Sequence, residues 1–263
     1  MWTDWTLRFA SQRRRCRPCC GLVAACLLVL VGCQTVPPAQ PSAGVTHHAD
    51  IARLFPGWDA KPLPGKRWEP FVPVVVDGEP GLQVQSSASL SLLRTKFRPH
   101  RHQPAELSFS WWVDGLLPEA DLTDSQASDA PAQIALAFDG DRSQLSGRFA
   151  VMSELTQLMT GDPLPYATLI YVWATGPEHP VGSVIRDPRT DRIRYLVVEQ
   201  GDAHLRRWVH HRRQIQADYA QVFGEPAGPL MGMAIMSDSD NTGGSVRAVF
   251  GPVNLQPKPA AVR

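Results

Sequence analysis

The sequence predicts a mainly β protein, an antiparallel β-sandwich or jelly roll with one or two short helices. Short segments in which apolar and polar residues alternate recur along the chain, as expected for half-buried strands. Breaks rich in Gly, Pro and Asp separate these segments (DGEPG, DGDRS, TGDP and SDSDNTGG). The 263 residues include 20 Gly and 24 Pro, and this surplus of turn formers disfavours an all-helical fold.

Alternation with period two is clearest in LSFSWWV (107–113) and IALAF (134–138). The continuous β-branched and aromatic run ATLIYVW (167–173) is typical of a strand buried on both faces. Segments 82–92, 193–199, 230–236 and 246–255 complete a set of roughly eight to ten short strands. Such a set favours a sandwich or jelly roll over a βαβ fold.

Two segments are predicted to be helical. Residues 212–223 carry one apolar face, formed by Ile215, Tyr219, Val222 and Phe223 at helical spacing. Gly224 follows as a C-terminal cap. Residues 152–159 show a weaker helical pattern.

The N-terminus has the pattern of a bacterial lipoprotein signal peptide, predicted to span residues 1–32. A cluster of arginines precedes an apolar stretch (21–31) that is shorter than the roughly 20 residues a membrane span needs. Leu30-Val31-Gly32-Cys33 then resembles a lipobox, in which the cysteine is acylated and becomes the first residue. An ordinary secretory signal with a chance cysteine is the alternative.

Cysteine usage agrees with lipid attachment at Cys33. All other cysteines lie within residues 1–32, so the mature chain would keep Cys33 alone and have no disulfide. A free thiol is a liability in an oxidising compartment unless acylation consumes it. Because Gln34 rather than Asp follows the cysteine, the resemblance implies the cell envelope, namely the outer membrane facing the periplasm in a Gram-negative cell.

The predicted mature chain divides into a flexible tether (33–50), a β-sandwich domain (51–256) and a tail (257–263). Residues 1–32 hold five of the 26 basic and one of the 25 acidic residues, which leaves the mature form at a formal −3. No basic stripe of the kind that nucleic acid requires is apparent, so nucleic acid is excluded as a partner.

Several motifs resemble the bacterial family called domain of unknown function 3047. They include LSFSWWVD (107–114), DAPAQIALAFDGD (129–141), ATLIYVWA (167–174) and MAIMSDSDNTGG (233–244), and the match covers nearly the whole mature domain. The resemblance implies a secreted or envelope β-sandwich, with no activity or site residues to carry over. One departure from the family pattern is that residues 68–78 are interrupted by Pro, so the sequence does not determine whether they form the first strand.

The turn Asp238-Ser239-Asp240-Asn241-Thr242-Gly243 is the sharpest candidate for chemistry. Its oxygen-bearing side chains at alternate positions imitate the first half of a calcium loop, with Asp238, Asp240, Asn241 and Thr242 as candidate ligands. The second half of the calcium loop is not matched, because Val249 occupies the position of the bidentate Glu ligand. A calcium site then needs distant carboxylates such as Asp129, Asp139 or Asp141. The alternative is a hairpin whose Asp and Gly residues merely reverse the chain.

Two further features allow function without a metal. Asp139 and Asp141 could supply the paired carboxylates of a glycosidase, although Asp-Gly-Asp is above all a turn former. Trp112 should point away from the core that Phe109 helps to fill, where it could stack on a sugar unless a second layer covers it.

These observations favour a lipid-anchored envelope protein with a non-catalytic binding domain for glycan, with a divalent cation such as calcium as its one candidate cofactor. The alternatives are a jelly-roll carbohydrate-active hydrolase or lyase using paired Asp, and a structural envelope protein that binds another protein. The positions of the aspartates in space discriminate between them. Convergence on one cation-sized point favours a metal, and two carboxylates across a groove favour hydrolysis.

Overall fold

The computed structural model describes residues 53–97 and 104–257. The predicted signal peptide, Cys33 and the tether lie outside these residues. Within the described ranges, no helix combines the length and the apolar character needed to cross a membrane.

The described chain forms two β-sheets and two α-helices, which confirms the predicted sandwich. The strands are β1 (Asp59–Ala60), β2 (Val72–Val76), β3 (Glu79–Ser87), β4 (Leu90–Lys96), β5 (Pro104–Val113), β6 (Ala130–Phe138), β7 (Ala167–Ala174), β8 (Val184–Arg186), β9 (Ile193–Gln200), β10 (Val209–Gln214), β11 (Leu230–Asp238), β12 (Ser245–Phe250) and β13 (Asn254–Pro257). The helices are α1 (Gly147–Thr160) and α2 (Ile215–Phe223), with a 3-10 turn at Arg142–Gln144.

One sheet has seven strands in the order β1-β4-β11-β6-β7-β9-β8, and the other has the order β10-β5-β12-β3-β2, with β13 also paired to β5. The strand pairs are antiparallel except β7 with β9, which run parallel. Because side chains alternate across a strand, one face of each sheet fills a common core. In β6, Ile134, Leu136 and Phe138 lie in this core, so Ala135 and Ala137 face outward.

Part of the outer face of the seven-stranded sheet is covered by a second hydrophobic cluster. Leu122, from the segment between β5 and β6, packs with Ile170, Val172, Tyr195 and Val197 over β7 and β9. The cluster includes Ala135 only as a partly buried neighbour, so it ends near β6. The functional candidates lie beyond this edge, along β6, β11 and β4.

Both helices differ in extent from the sequence prediction. Helix α2 begins at Ile215 rather than 212, because residues Arg212–Gln214 belong to β10 and pair with β5. Ile215, Tyr219 and Val222 are buried as predicted, whereas Phe223 is half-buried. Helix α1 is longer than predicted because both its ends are capped. Ser146 accepts a hydrogen bond from the Phe149 backbone N–H, and Gly161 adopts a left-handed conformation at φ 80°.

Two prolines explain differences among the strands. The predicted strand 246–255 divides into β12 and β13 around Gly251-Pro252, since proline has no N–H to continue a ladder. Pro73 is tolerated within β2 because β2 is the last strand of its sheet. The Pro-interrupted segment around 68–78 therefore does contain a strand.

Candidate functional site

Three aspartates converge at one end of the seven-stranded sheet. Asp129 immediately precedes β6, Asp238 ends β11, and Asp240 lies in the following turn. Since β6 and β11 are antiparallel and Asp238 pairs with Ala130, the start of one strand meets the end of the other. One carboxylate oxygen from each aspartate lies within 4.8 Å of the other two.

Asp129 holds the turn against the start of β6. Its Oδ1 accepts hydrogen bonds from the Asn241 backbone N–H (3.2 Å) and from Asn241 Nδ2 (2.9 Å). Its Oδ2 accepts from the Thr242 backbone N–H (2.8 Å) and from the Thr242 hydroxyl (2.7 Å). Asn241 and Thr242 thus act here as donors to Asp129, whereas the sequence presented them as ligands of a cation.

Asp238 is buried beside the other two carboxylates, with 6% of its surface exposed. Burial, followed by repulsion from Asp240 and Asp129, raises the pKa of Asp238 to about 8. The backbone N–H of Asp240 donates a 3.3 Å hydrogen bond to Asp238 Oδ1 and opposes that shift, as does the charge of Lys66. Burial and the neighbouring carboxylates therefore favour the protonated form of Asp238.

Asp240 forms a salt bridge with Lys66. Lys66 Nζ lies 2.5 Å from Asp240 Oδ2, and the Asp240 side chain is 8% exposed against 39% for that of Lys66. Asp240 Oδ1 is buried and accepts no hydrogen bond from any described residue. A buried carboxylate oxygen without a hydrogen-bond donor is costly, so a further cation would stabilise this atom.

The arrangement fits a divalent cation by size and chemistry. Oxygens bound to Ca²⁺ at 2.3–2.6 Å lie at most about 5 Å from one another, and the three carboxylates meet that limit. Three carboxylates outweigh the single charge of Lys66, and Lys66 is exposed enough to move aside. A bound cation would replace both the Asp238 proton and the Lys66 contact.

Asp139 and Asp141 do not join this cluster, so the prediction that they contribute to the metal site is wrong. They follow the other end of β6, and a strand of nine residues separates them from Asp129 by about 30 Å. Asp141 instead caps the 3-10 turn, where its Oδ1 accepts hydrogen bonds from the Ser143 backbone N–H and hydroxyl. Asp141 therefore acts as a turn residue, whereas Asp139 lines the groove described below.

Trp112 is not an exposed platform. It lies outside the core cluster that contains Trp111, as alternation predicted, but only 5% of its surface is exposed. The guanidinium carbon of Arg247, on the neighbouring strand β12, lies 4.6 Å from the ring centroid. A sugar cannot stack on this ring face while Arg247 covers it.

An open groove crosses the outer face of β4, β11 and β6, with a volume of about 270 Å³. Its lining includes the outward-facing small residues Ala135, Ala137 and Ala234, together with Met231 and Met233. Gly232 also lines the groove, and a Cβ there would come within 2.6 Å of the Thr95 carbonyl oxygen of β4, so no side chain fits.

Charged residues form the rim of the groove. Asp162, just after α1, accepts hydrogen bonds from Arg94 Nη2 (2.9 Å) and Lys96 Nζ (2.5 Å) on β4. The hydrogen bonds from Lys96 and then Arg94 lower the pKa of Asp162 despite its partial burial. Pro163 and Pro165 follow Asp162 and also line the groove. The segment after α1 is thereby fixed to β4 across the sheet.

The family model described as "Protein of unknown function (DUF3047)" matches residues 56–254. The chain belongs to this family. The matched range contains both the aspartate cluster and the groove. No curated protein sequence matches the chain.

Solved structures similar to this DUF3047 chain are β-rich proteins of low sequence identity. A carbohydrate-binding module specific for non-crystalline cellulose is 12% identical, with 76% of this chain and 87% of that chain covered and a TM-score of 0.35. A loop-swap mutant of Xyn11A from Necallimastix patriciarum is 10% identical, with 77% and 96% covered and a TM-score of 0.38. The xyloglucanase domain of NopAA from Sinorhizobium fredii, in complex with cellobiose, is 9% identical, with 76% and 96% covered and a TM-score of 0.34. These similarities assign neither ligand nor activity to the DUF3047 domain.

The sequence did not predict the groove, and it did not predict that Lys66 pairs with Asp240. Arg94, Lys96 and Asp162 come from separate segments, and no motif connects β4 with the end of α1. Lys66 lies in a loop more than 170 residues before Asp240. The one signal in the sequence was the pair of alanines in IALAF (134–138). They alternate with the three core residues and therefore face outward.

Proposed function

We propose that this protein is a lipid-anchored envelope protein whose DUF3047 domain binds glycan without catalysis. The observation that carries the proposal is the groove, whose lining includes outward-facing small side chains and whose rim is charged. The apolar face of a pyranose ring can lie on Ala135, Ala137 and Ala234, while its hydroxyls reach polar groups at the edge. Ligand sites commonly combine an apolar surface with a few polar groups that fix orientation.

The rim is suited to hydroxyl groups. Arg94 and Lys96 carry more N–H donors than their hydrogen bonds to Asp162 use, so both can donate to the hydroxyl groups of a sugar. Because the three groups are held together before any ligand arrives, binding would lose little side-chain entropy.

A hydrolytic function has weaker support. A glycosidase needs one carboxylic acid that is protonated at working pH and a second carboxylate across the sugar. The pKa of Asp162 is lowered, which makes it a poor general acid. Asp238 has the raised pKa, but it lies buried in the aspartate cluster at the far end of β11. We therefore favour binding over catalysis.

We further infer that Asp129, Asp238 and Asp240 bind a divalent cation, with calcium as the favoured ion. The unpaired oxygen of Asp240 and the mutual repulsion of the carboxylates support this inference. The turn that follows β11 would be the part of the domain that the cation stabilises.

The glycan proposal is tested by screening the domain against a glycan array and measuring affinity for any hit by calorimetry. Ala234→Trp fills the groove from an outward-facing position, so it should abolish binding while the domain stays folded. Val75→Trp places the same side chain at an exposed position of β2 in the other sheet, and it should leave binding unchanged. Equal binding by both variants would refute the groove as the site.

A further inference from the structure

Helix α1 exposes an apolar stripe to solvent. Val151, Leu155 and Leu158 are 67%, 55% and 85% exposed, and their spacing of four and three residues places them on one side of the helix. Phe149 and Ser153 are buried on the opposite side. Exposed aliphatic residues are common singly, but three in line on one helix indicate a contact surface.

The first strand of the domain is linked to the end of this helix through one residue of β4. β1, the first strand, pairs Asp59 with Arg94 of β4. Arg94 also binds Asp162, which comes two residues after the end of α1. β1 and the residue two positions after α1 therefore both contact Arg94 of β4, and Leu158 lies in the last turn of α1.

We propose that the apolar stripe of α1 contacts the surface of the membrane to which the protein is anchored. The proposal rests on the lipid anchor proposed above at Cys33. Covalent geometry limits residues 33–50 to a reach of at most about 60 Å. This reach is long enough for α1 to turn toward the bilayer, and the apolar stripe is the side of the helix that would gain from contact with lipid.

A second copy of the chain fits this surface less well. Burying an aliphatic side chain removes on the order of 100 Å² of surface, so three supply roughly 300 Å² per partner. A stable protein interface needs about 800 Å² per partner. A shallow contact with lipid has no such minimum, because the anchor already supplies most of the membrane affinity.

The charges around the stripe predict how the contact should behave. Arg148 and Glu154 are exposed and, at 100° per residue, flank the stripe on opposite sides, so their charges offset each other. Membrane contact should therefore depend on apolar burial, and anionic lipid should change it little. Amphipathic helices that bind anionic lipid carry a cationic polar face, which α1 lacks.

A single-cysteine probe tests the contact. Apart from Cys33, residues 33–263 contain no cysteine, so this chain with a hexahistidine tag in place of Cys33 can be tethered to nickel-chelating lipid in phosphatidylcholine vesicles. An environment-sensitive dye on Leu158→Cys should shift its emission to the blue on tethering, with or without added phosphatidylglycerol. The same dye on Val75→Cys, an exposed position of β2 in the other sheet, should not shift.

The possible results test the membrane contact of α1 separately from the lipid anchor proposed at Cys33. Identical spectra for the two probes would overturn the membrane contact, and so would a Leu158→Cys shift that appears without vesicles as protein concentration rises, since that result indicates a dimer. Adding Leu155→Asp should abolish the blue shift, and a shift that survives this change would also count against the contact. None of these results depends on acylation of Cys33, because the tag replaces it.

Discussion

Replacing Asp238 with Asn should change how the stability of the domain depends on pH. The pKa of Asp238 is about 8 in the folded domain, against 3.8 for an ordinary aspartate. Folding therefore takes up one proton between about pH 4 and pH 8. In that window the free energy of unfolding falls by about 1.4 kcal/mol per pH unit through this group. The stabilisation that comes from the protonated Asp238 is complete below pH 4 and is lost as the pH rises through 8.

Asn imitates the protonated Asp238 and does not titrate. In the presence of chelator, Asp238→Asn and the natural protein should have similar stability near pH 4, and the variant should become the more stable by several kcal/mol at pH 8. Urea unfolding followed by tryptophan fluorescence at several pH values measures this difference. Asp202→Asn, the same change at an exposed carboxylate, is the matched control. A difference between Asp238→Asn and the natural protein that is independent of pH would refute the reasoning.

Three further predictions concern packing, the cation and the anchor. Tyr219→Ala should destabilise the domain by about 3–5 kcal/mol in urea unfolding, and Phe223→Ala by less, because Tyr219 is fully buried and Phe223 is not. Calcium at a hundredfold excess over Kd should stabilise the domain by about 2.7 kcal/mol, seen as a rise in Tm that chelator reverses and Asp240→Ala removes. An unchanged Tm would contradict the cation site. Cys33→Ser should abolish incorporation of labelled palmitate, and persistent labelling would contradict the anchor.

The strands were predictable where burial alone determines the pattern. Segments 107–113 and 167–173 lie within β5 and β7 because alternating or continuous apolar residues are a direct consequence of facing the core. The start of α2 was not predictable, because the polar residues of β10 carry no apolar signal and their state depends on pairing with β5. The local pattern of apolar residues cannot reveal a partner strand that lies about 100 residues away in the sequence.

The same limit applies to the candidate site. The sequence singled out the turn after β11 by its oxygen-rich side chains, but the distant partners of that turn depend on which strand lies beside β11. Pairing with β6 brings Asp129 to the turn and sends Asp139 to the opposite end. Trp112 shows a related effect. Alternation placed it away from the core, and only the pairing of β5 with β12 brings Arg247 over its ring.

Both proposed binding sites use β11, yet we expect little coupling between them. Gly232 and Ala234 line the groove, and Asp238 lies at the end of the same strand. β11 is paired with β4 on one side and β6 on the other, which holds it in one arrangement between them. Coupling between sites requires an element with two states. Calcium should therefore raise stability without changing glycan affinity, when affinity is measured well below the Tm. Affinity that falls on chelation at such a temperature would instead indicate that the sugar binds the cation directly.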